Sequence, residues 1–189
     1  LKDHYPLALS IDRTEGTHPI QQQLGNLKNA GLLYGHIIYH KAPIMMQKLE
    51  ERMGAEALQR GLREYLSRFS YANATWDDLI DILGKEAPQA GIADFDRQWV
   101  KQAGIALDAY GIQLLDAPQI ASLQYRLSQG GMNEVERFRA AMTLYENYLH
   151  GRIAADSLVQ TMLRAVERED NPLVATSLVG YATSVLPYA

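Results

Sequence analysis

Apolar side chains recur along this chain at intervals of three and four residues almost from end to end, and that spacing belongs to helices packed on one face. The stretch "APIMMQKLEERMG" spaces Ile44, Met45, Lys48, Leu49 and Met53 this way. It opens with Pro43 in a first turn, where a missing N–H is tolerated, and stops at Gly54. "AEALQRGLREYLSRF" then sets Leu58, Leu62, Tyr65, Leu66 and Phe69 on one face and leads into the turn-like "SYANA". Thr75 has the form of an N-cap for "WDDLIDIL", with Asp77 and Asp78 complementing the helix dipole in the first turn. A shorter helix around "IADFDRQWVKQAG" ends at Gly104. Only "IALDAYGIQLL" could pass for a strand, and it reads as a seam. Beyond it, "APQIASLQYRLSQGG", "NEVERFRAAMTLYENYLHG", "AADSLVQTMLRAVERED" and "NPLVATSLVGYATSVLPYA" are four helical segments with short joints at Gly130, Gly131, Gly151 and Asn171-Pro172. The expected fold is all-α: one helical bundle over residues 1–104, a seam over 105–115, and stacked antiparallel helical pairs over 116–189. No fixed-period motif of the tetratricopeptide or ankyrin kind repeats.

Charge and composition narrow the function. The 189 residues suffice for one or two domains with real cores. A net charge of -4 and a pI near 5.7 leave no basic face broad enough to neutralise a run of phosphates, so nucleic acid is not an expected partner. No apolar run approaches the roughly 20 residues that cross a bilayer. There is no cysteine, hence no disulfide and no thiolate chemistry. The chain starts at Leu1 with neither a methionine nor a signal-like segment, and the natural N-terminus is expected to be missing; localisation is left unassigned.

One segment raises a question of metal chemistry. "YGHIIYHKAP" carries His36 and His40 four residues apart, a spacing that lets two imidazoles on a helix grip one ion. In the metalloprotease signature HExxH, however, a glutamate next to the first histidine acts as general base, and that place is filled by Ile37. A third ligand is also lacking, so the pair is not expected to bind metal. His4 and His150 stand alone and are expected to be surface or hydrogen-bonded histidines. Met45, Met46, Tyr65, Tyr145 and Tyr148 fall at helical spacing and read as packing. Glu134, Glu136, Glu167 and Glu169 form no pair spaced for catalysis, and there is no GxSxG elbow or glycine-rich phosphate cradle.

The ordered series "THPI" (Thr17 to Ile20), "IIYHKAPIMMQKLEERMGAEALQRGLREYLSRFSYANATWDDLIDIL" (Ile37 to Leu83) and "FDRQWVKQAG" (Phe95 to Gly104) resembles the downstream half of the catalytic domain of the aminopeptidase N family of zinc metallopeptidases. "LYENYLHGRI" and "EREDNPLVATSLVGYATSVL" resemble the start of that family's C-terminal helical superhelix. The resemblance implies a parent protein that removes N-terminal residues from peptide substrates with a zinc-activated water. It also implies that residues 1–104 are the helical C-terminal half of a thermolysin-like catalytic domain. In the family, the tyrosine of a tyrosine-x-lysine segment donates a hydrogen bond to the scissile carbonyl oxygen as it becomes tetrahedral, and the matching residue is Tyr39.

The departures are as informative. The zinc motif HExxH, its downstream glutamate and the glycine-rich strand that holds the substrate amino terminus all precede this region in the family order. The zinc of the parent protein is thus expected to have no ligands in this chain, and the chain alone to be inactive. The usual lysine-glycine is replaced by Lys41-Ala42-Pro43. A β-sandwich domain common in the family has no counterpart, since only "IALDAYGIQLL" links Gly104 to Asp116; either the lineage lacks it or it lies outside the given sequence. The rival reading is a non-catalytic α-helical scaffold that binds a protein partner in the groove of its helical pairs.

Overall fold

A computed structural model describes residues 4–104 and 106–189. Every regular element among the described residues is helical. The chain divides into two compact units, one ending at residue 105 and the other running from Ala106 to Ala189.

The first unit begins with α1 (His4–Asp12) and a short 3-10 segment (Leu27–Leu32). A π-helical turn (Ile37–Lys41) then runs directly into α2 (Ala42–Met53). Gly54, at φ +85°, ends α2 and opens α3 (Ala55–Arg68), a backbone angle that a side chain would strain. Helix α4 (Trp76–Glu86) starts with the expected cap: the Thr75 hydroxyl accepts from the Asp78 N–H, and the Asp78 carboxylate accepts from the Thr75 N–H. The Thr75 hydroxyl also donates to the Asp78 carboxylate at 2.6 Å, and that bond, then the one from the Thr75 N–H, holds the Asp78 carboxyl below its ordinary pKa. Helix α5 (Ile92–Asp96) passes into a second π turn (Arg97–Lys101). The buried core gathers Leu9, Ile37, Ile44, Leu49, Ile82, Leu83, Phe95 and Trp99.

Two packing details sharpen the picture. Helices α3 and α4 lie against each other at Gly61, where an added Cβ would sit 2.5 Å from Leu83 Cδ2. Leu66, grouped with the packed face on sequence, is instead 68% exposed. Only Leu58 and Gly61 of α3 are buried, and residues 66–68 of its last turn are exposed.

The second unit is built from α6 (Ala117–Gln129), α7 (Glu134–Leu149), α8 (Ala155–Val166) and α9 (Pro172–Val185), packed as α6 on α7 and α8, and α9 on α7 and α8. Asp116 and Asn133 each close a capping box, with Gln119 and Glu136, and Asn171 caps α9. Leu144, Leu158, Met162, Val174, Leu178 and Val185 form the dry centre. Arg137 grips Glu169 through one guanidinium edge, Nε and Nη2 donating at 2.6 and 2.8 Å, and Glu169 also accepts from the Asn171 N–H.

The strand-like seam does not form a strand. Ile105 lies outside the described residues; Leu107–Tyr110 is a 3-10 turn, and the backbone after it finds its partners on a side chain. Asn147, fully buried on α7, accepts from the Leu115 N–H and donates to the Gln113 carbonyl, both at 2.8 Å. A buried amide thus replaces the neighbouring strand that this segment would otherwise need.

Candidate functional site

The π turn that carries Tyr39 follows from Pro43. In a regular α-helix the carbonyl of Tyr39 would accept from residue 43, but proline has no N–H and its ring crowds that carbonyl. The turn widens by one residue instead, and the Ala42 N–H donates to the Ile37 carbonyl, five residues back. Lys41 and Ala42 keep right-handed helical backbone, so the wide turn and α2 form one continuous rod. Within that turn Ile37 and Lys41 are fully buried, whereas the Tyr39 side chain is 56% exposed. The Tyr39 ring meets that of Tyr34, 5.8 Å between centroids.

A buried ion pair braces the turn from beneath. Lys41 Nζ lies 2.9 Å from Asp12 Oδ1 at the end of α1, and the two side chains are 0% and 2% exposed. The Thr17 hydroxyl donates to the same carboxylate oxygen at 2.7 Å and accepts from the Gly104 N–H at 3.2 Å. The Gln21 N–H donates to the Val100 carbonyl at 3.0 Å. Through these bonds the π turn, α1, the "THPI" loop and the end of the second π turn are tied together.

On the neighbouring surface three imidazoles gather. His4 Nδ1 lies 2.9 Å from His40 Nδ1, and the His40 ring centroid is 5.1 Å from those of both His4 and His36. His4, read as solitary on sequence, is therefore paired across 36 positions, a contact that residue spacing does not report. Partial burial, and then the nearness of His4 and His36, push the His40 pKa below its ordinary 6.5. No group of three or more histidine, aspartate or glutamate side chains among the described residues is placed to hold a metal ion. Elsewhere, His18 Nδ1 lies 2.8 Å from the Gln22 amide nitrogen, and His150 Nδ1 lies 2.8 Å from the Glu146 carbonyl.

The sequence reading singled out Tyr39 and passed over Asp12, Lys41 and Asn147. A usable signal existed for the first pair. Asp12 falls on the apolar stripe of α1 with Tyr5, Ala8 and Leu9, and Lys41 falls on that of Ile37, Ile44 and Met45. Opposite charges on two otherwise apolar stripes have to meet if both stripes are buried. Asn147 had no comparable mark, because its role depends on where the seam passes.

By fold the chain is an all-α protein whose first unit presents a half-exposed tyrosine on a braced π turn. In comparison with protein families, residues 1–99, over half of the chain, match the Peptidase family M1 domain, and the chain belongs to that family. It is 33% identical over 98 residues to aminopeptidase N of Lactobacillus helveticus, covering 51% of this chain and 12% of that protein. With probable aminopeptidase 1 of Saccharolobus solfataricus the identity is 26% over 152 residues, 79% of this chain and 18% of the relative. With the alanine/arginine aminopeptidase of Saccharomyces cerevisiae it is 27% over 106 residues, 54% of this chain and 12% of the relative. The chain thus spans less than a fifth of the length of each of these three relatives. No solved structure matches it significantly. The zinc implied by the resemblance has no ligand set among the described residues.

Proposed function

We propose that this chain is part of a zinc aminopeptidase that removes N-terminal residues from peptides, with Tyr39 donating a hydrogen bond to the scissile carbonyl oxygen as it becomes tetrahedral. In this reading residues 1–104 are the helical C-terminal half of the catalytic domain, and residues 116–189 open a superhelical domain. The observation that carries it is the half-exposed Tyr39 side chain on a π turn braced by a buried ion pair, inside the segment that matches the M1 peptidase domain. A phenol held by a braced backbone can meet a developing oxyanion without reorganising, which is the condition for such a donor to lower a barrier. In this account the metal belongs to the longer protein, and among the described residues no group of three histidine, aspartate or glutamate side chains is placed to hold it.

The test is direct. The full-length protein should release the N-terminal residue from short peptides, lose that activity to a chelator and regain it on addition of zinc. The 189-residue chain should show no peptidase activity and retain no stoichiometric zinc after dialysis. The coding sequence ahead of these residues should specify HExxH, followed by a glutamate about one helix-turn-helix later. A full-length protein without that motif and without peptidase activity would instead be a non-catalytic helical scaffold.

A further inference from the structure

We infer that Lys41 and Asp12 are positioning residues for Tyr39: their buried ion pair fixes the π turn so that the phenol is aimed, and turnover depends on it more than folding does. This rests on the reading of Tyr39 given above. A fully buried ammonium and carboxylate are an expensive way to stabilise a fold. Both ions lose their water, and apolar residues of similar size often serve stability as well or better. What a buried pair does supply is direction, because the two charges satisfy each other in one arrangement only.

The arrangement here is specific. Lys41 is two residues from Tyr39 within the same wide turn, with Lys41 directed into the protein and Tyr39 out of it. The carboxylate that holds Lys41 closes α1 and is itself held by Thr17, whose hydroxyl is held by the Gly104 backbone. Rotation or slippage of the π turn would pull Lys41 from Asp12, so the pair opposes that motion at the point where the wider Ala42-to-Ile37 bond interrupts the α pattern. The three neighbouring histidines are no substitute, since they lie on the surface side and are bound to one another by ring contacts.

The experiment compares variants of the full-length protein. Asp12→Asn combined with Lys41→Met removes both charges while keeping side-chain volume and the acceptor for Thr17. We expect its Tm to stay near that of the parent while kcat falls roughly 10-fold to 100-fold with KM little changed, the scale of a misplaced reacting group. Should the double variant fold poorly, Asp12→Glu, which keeps both charges and displaces the carboxylate by one methylene, takes its place and carries the same expectation for kcat and KM. In a double-mutant cycle, adding the pair substitution to Tyr39→Phe should cost almost nothing further, because the pair acts through the phenol. A loss of kcat that is fully additive with Tyr39→Phe, or a variant whose Tm falls while kcat holds, overturns the inference. If Tyr39→Phe itself has no effect on turnover, it is the role of Tyr39 that fails.

Discussion

Two residues apart on one turn, Tyr39 and Lys41 face opposite environments, and the contrast explains both. Lys41 cannot be buried unpaired: removing one partner of a buried ion pair typically costs about 3–5 kcal/mol. Asp12 therefore decides where the turn lies. Tyr39 has no such constraint and keeps its polar end outward. Next to it, His40 is partly buried and sits between two other imidazoles, and burial first, then those neighbours, disfavour its charged form. Its pKa is lowered on folding, so between the folded and unfolded values the unfolded chain binds more protons and stability rises with pH. The contribution is complete above the ordinary 6.5 and is lost as pH falls through the folded value. Thermal melts of the parent and His40→Gln from about pH 8 to about pH 5 should therefore diverge, the parent losing more Tm at the acid end. Parallel curves would show that the imidazole cluster does not perturb folding.

At the scale of elements, helix starts were legible because capping is local chemistry: Thr75, Asn133 and Asn171 each bond to backbone within three residues. The π turn was not, although its cause, Pro43, was noted as a helix-start residue. Whether a proline begins a helix or widens one depends on whether the chain before it is already helical, and that is settled by the packing of Ile37 and Lys41. The seam misled for a similar reason, since an apolar run looks alike whether a strand or Asn147 satisfies its backbone. Gly61 gives the sharpest element-level prediction. In an isolated helix alanine would be preferred by about 1 kcal/mol. Here its Cβ would strike Leu83, a fully buried side chain with little room to move. Gly61→Ala should therefore destabilise the first unit by about 1–3 kcal/mol, and Leu83→Ala should cost less stability in the Gly61→Ala background than in the parent. Denaturant titration checks both, and a stabilised Gly61→Ala would mean that α3 and α4 are looser than described.

At the scale of the molecule, membership of the M1 peptidase family and an all-α fold in two units meet in one claim about a single hydroxyl. The measurement that tests it most directly is steady-state kinetics of Tyr39→Phe in the full-length protein, with Tyr65→Phe as the control. Tyr65 packs its ring on Phe69, 5.4 Å between centroids, at the end of α3. Losing one donor to the tetrahedral oxygen should lower kcat by roughly 10² to 10³, about 3 to 4 kcal/mol, with KM almost unchanged. The control should stay within a few-fold. A Tyr39→Phe enzyme that turns over at the parent rate, or one whose KM rises while kcat holds, would contradict the account at its centre.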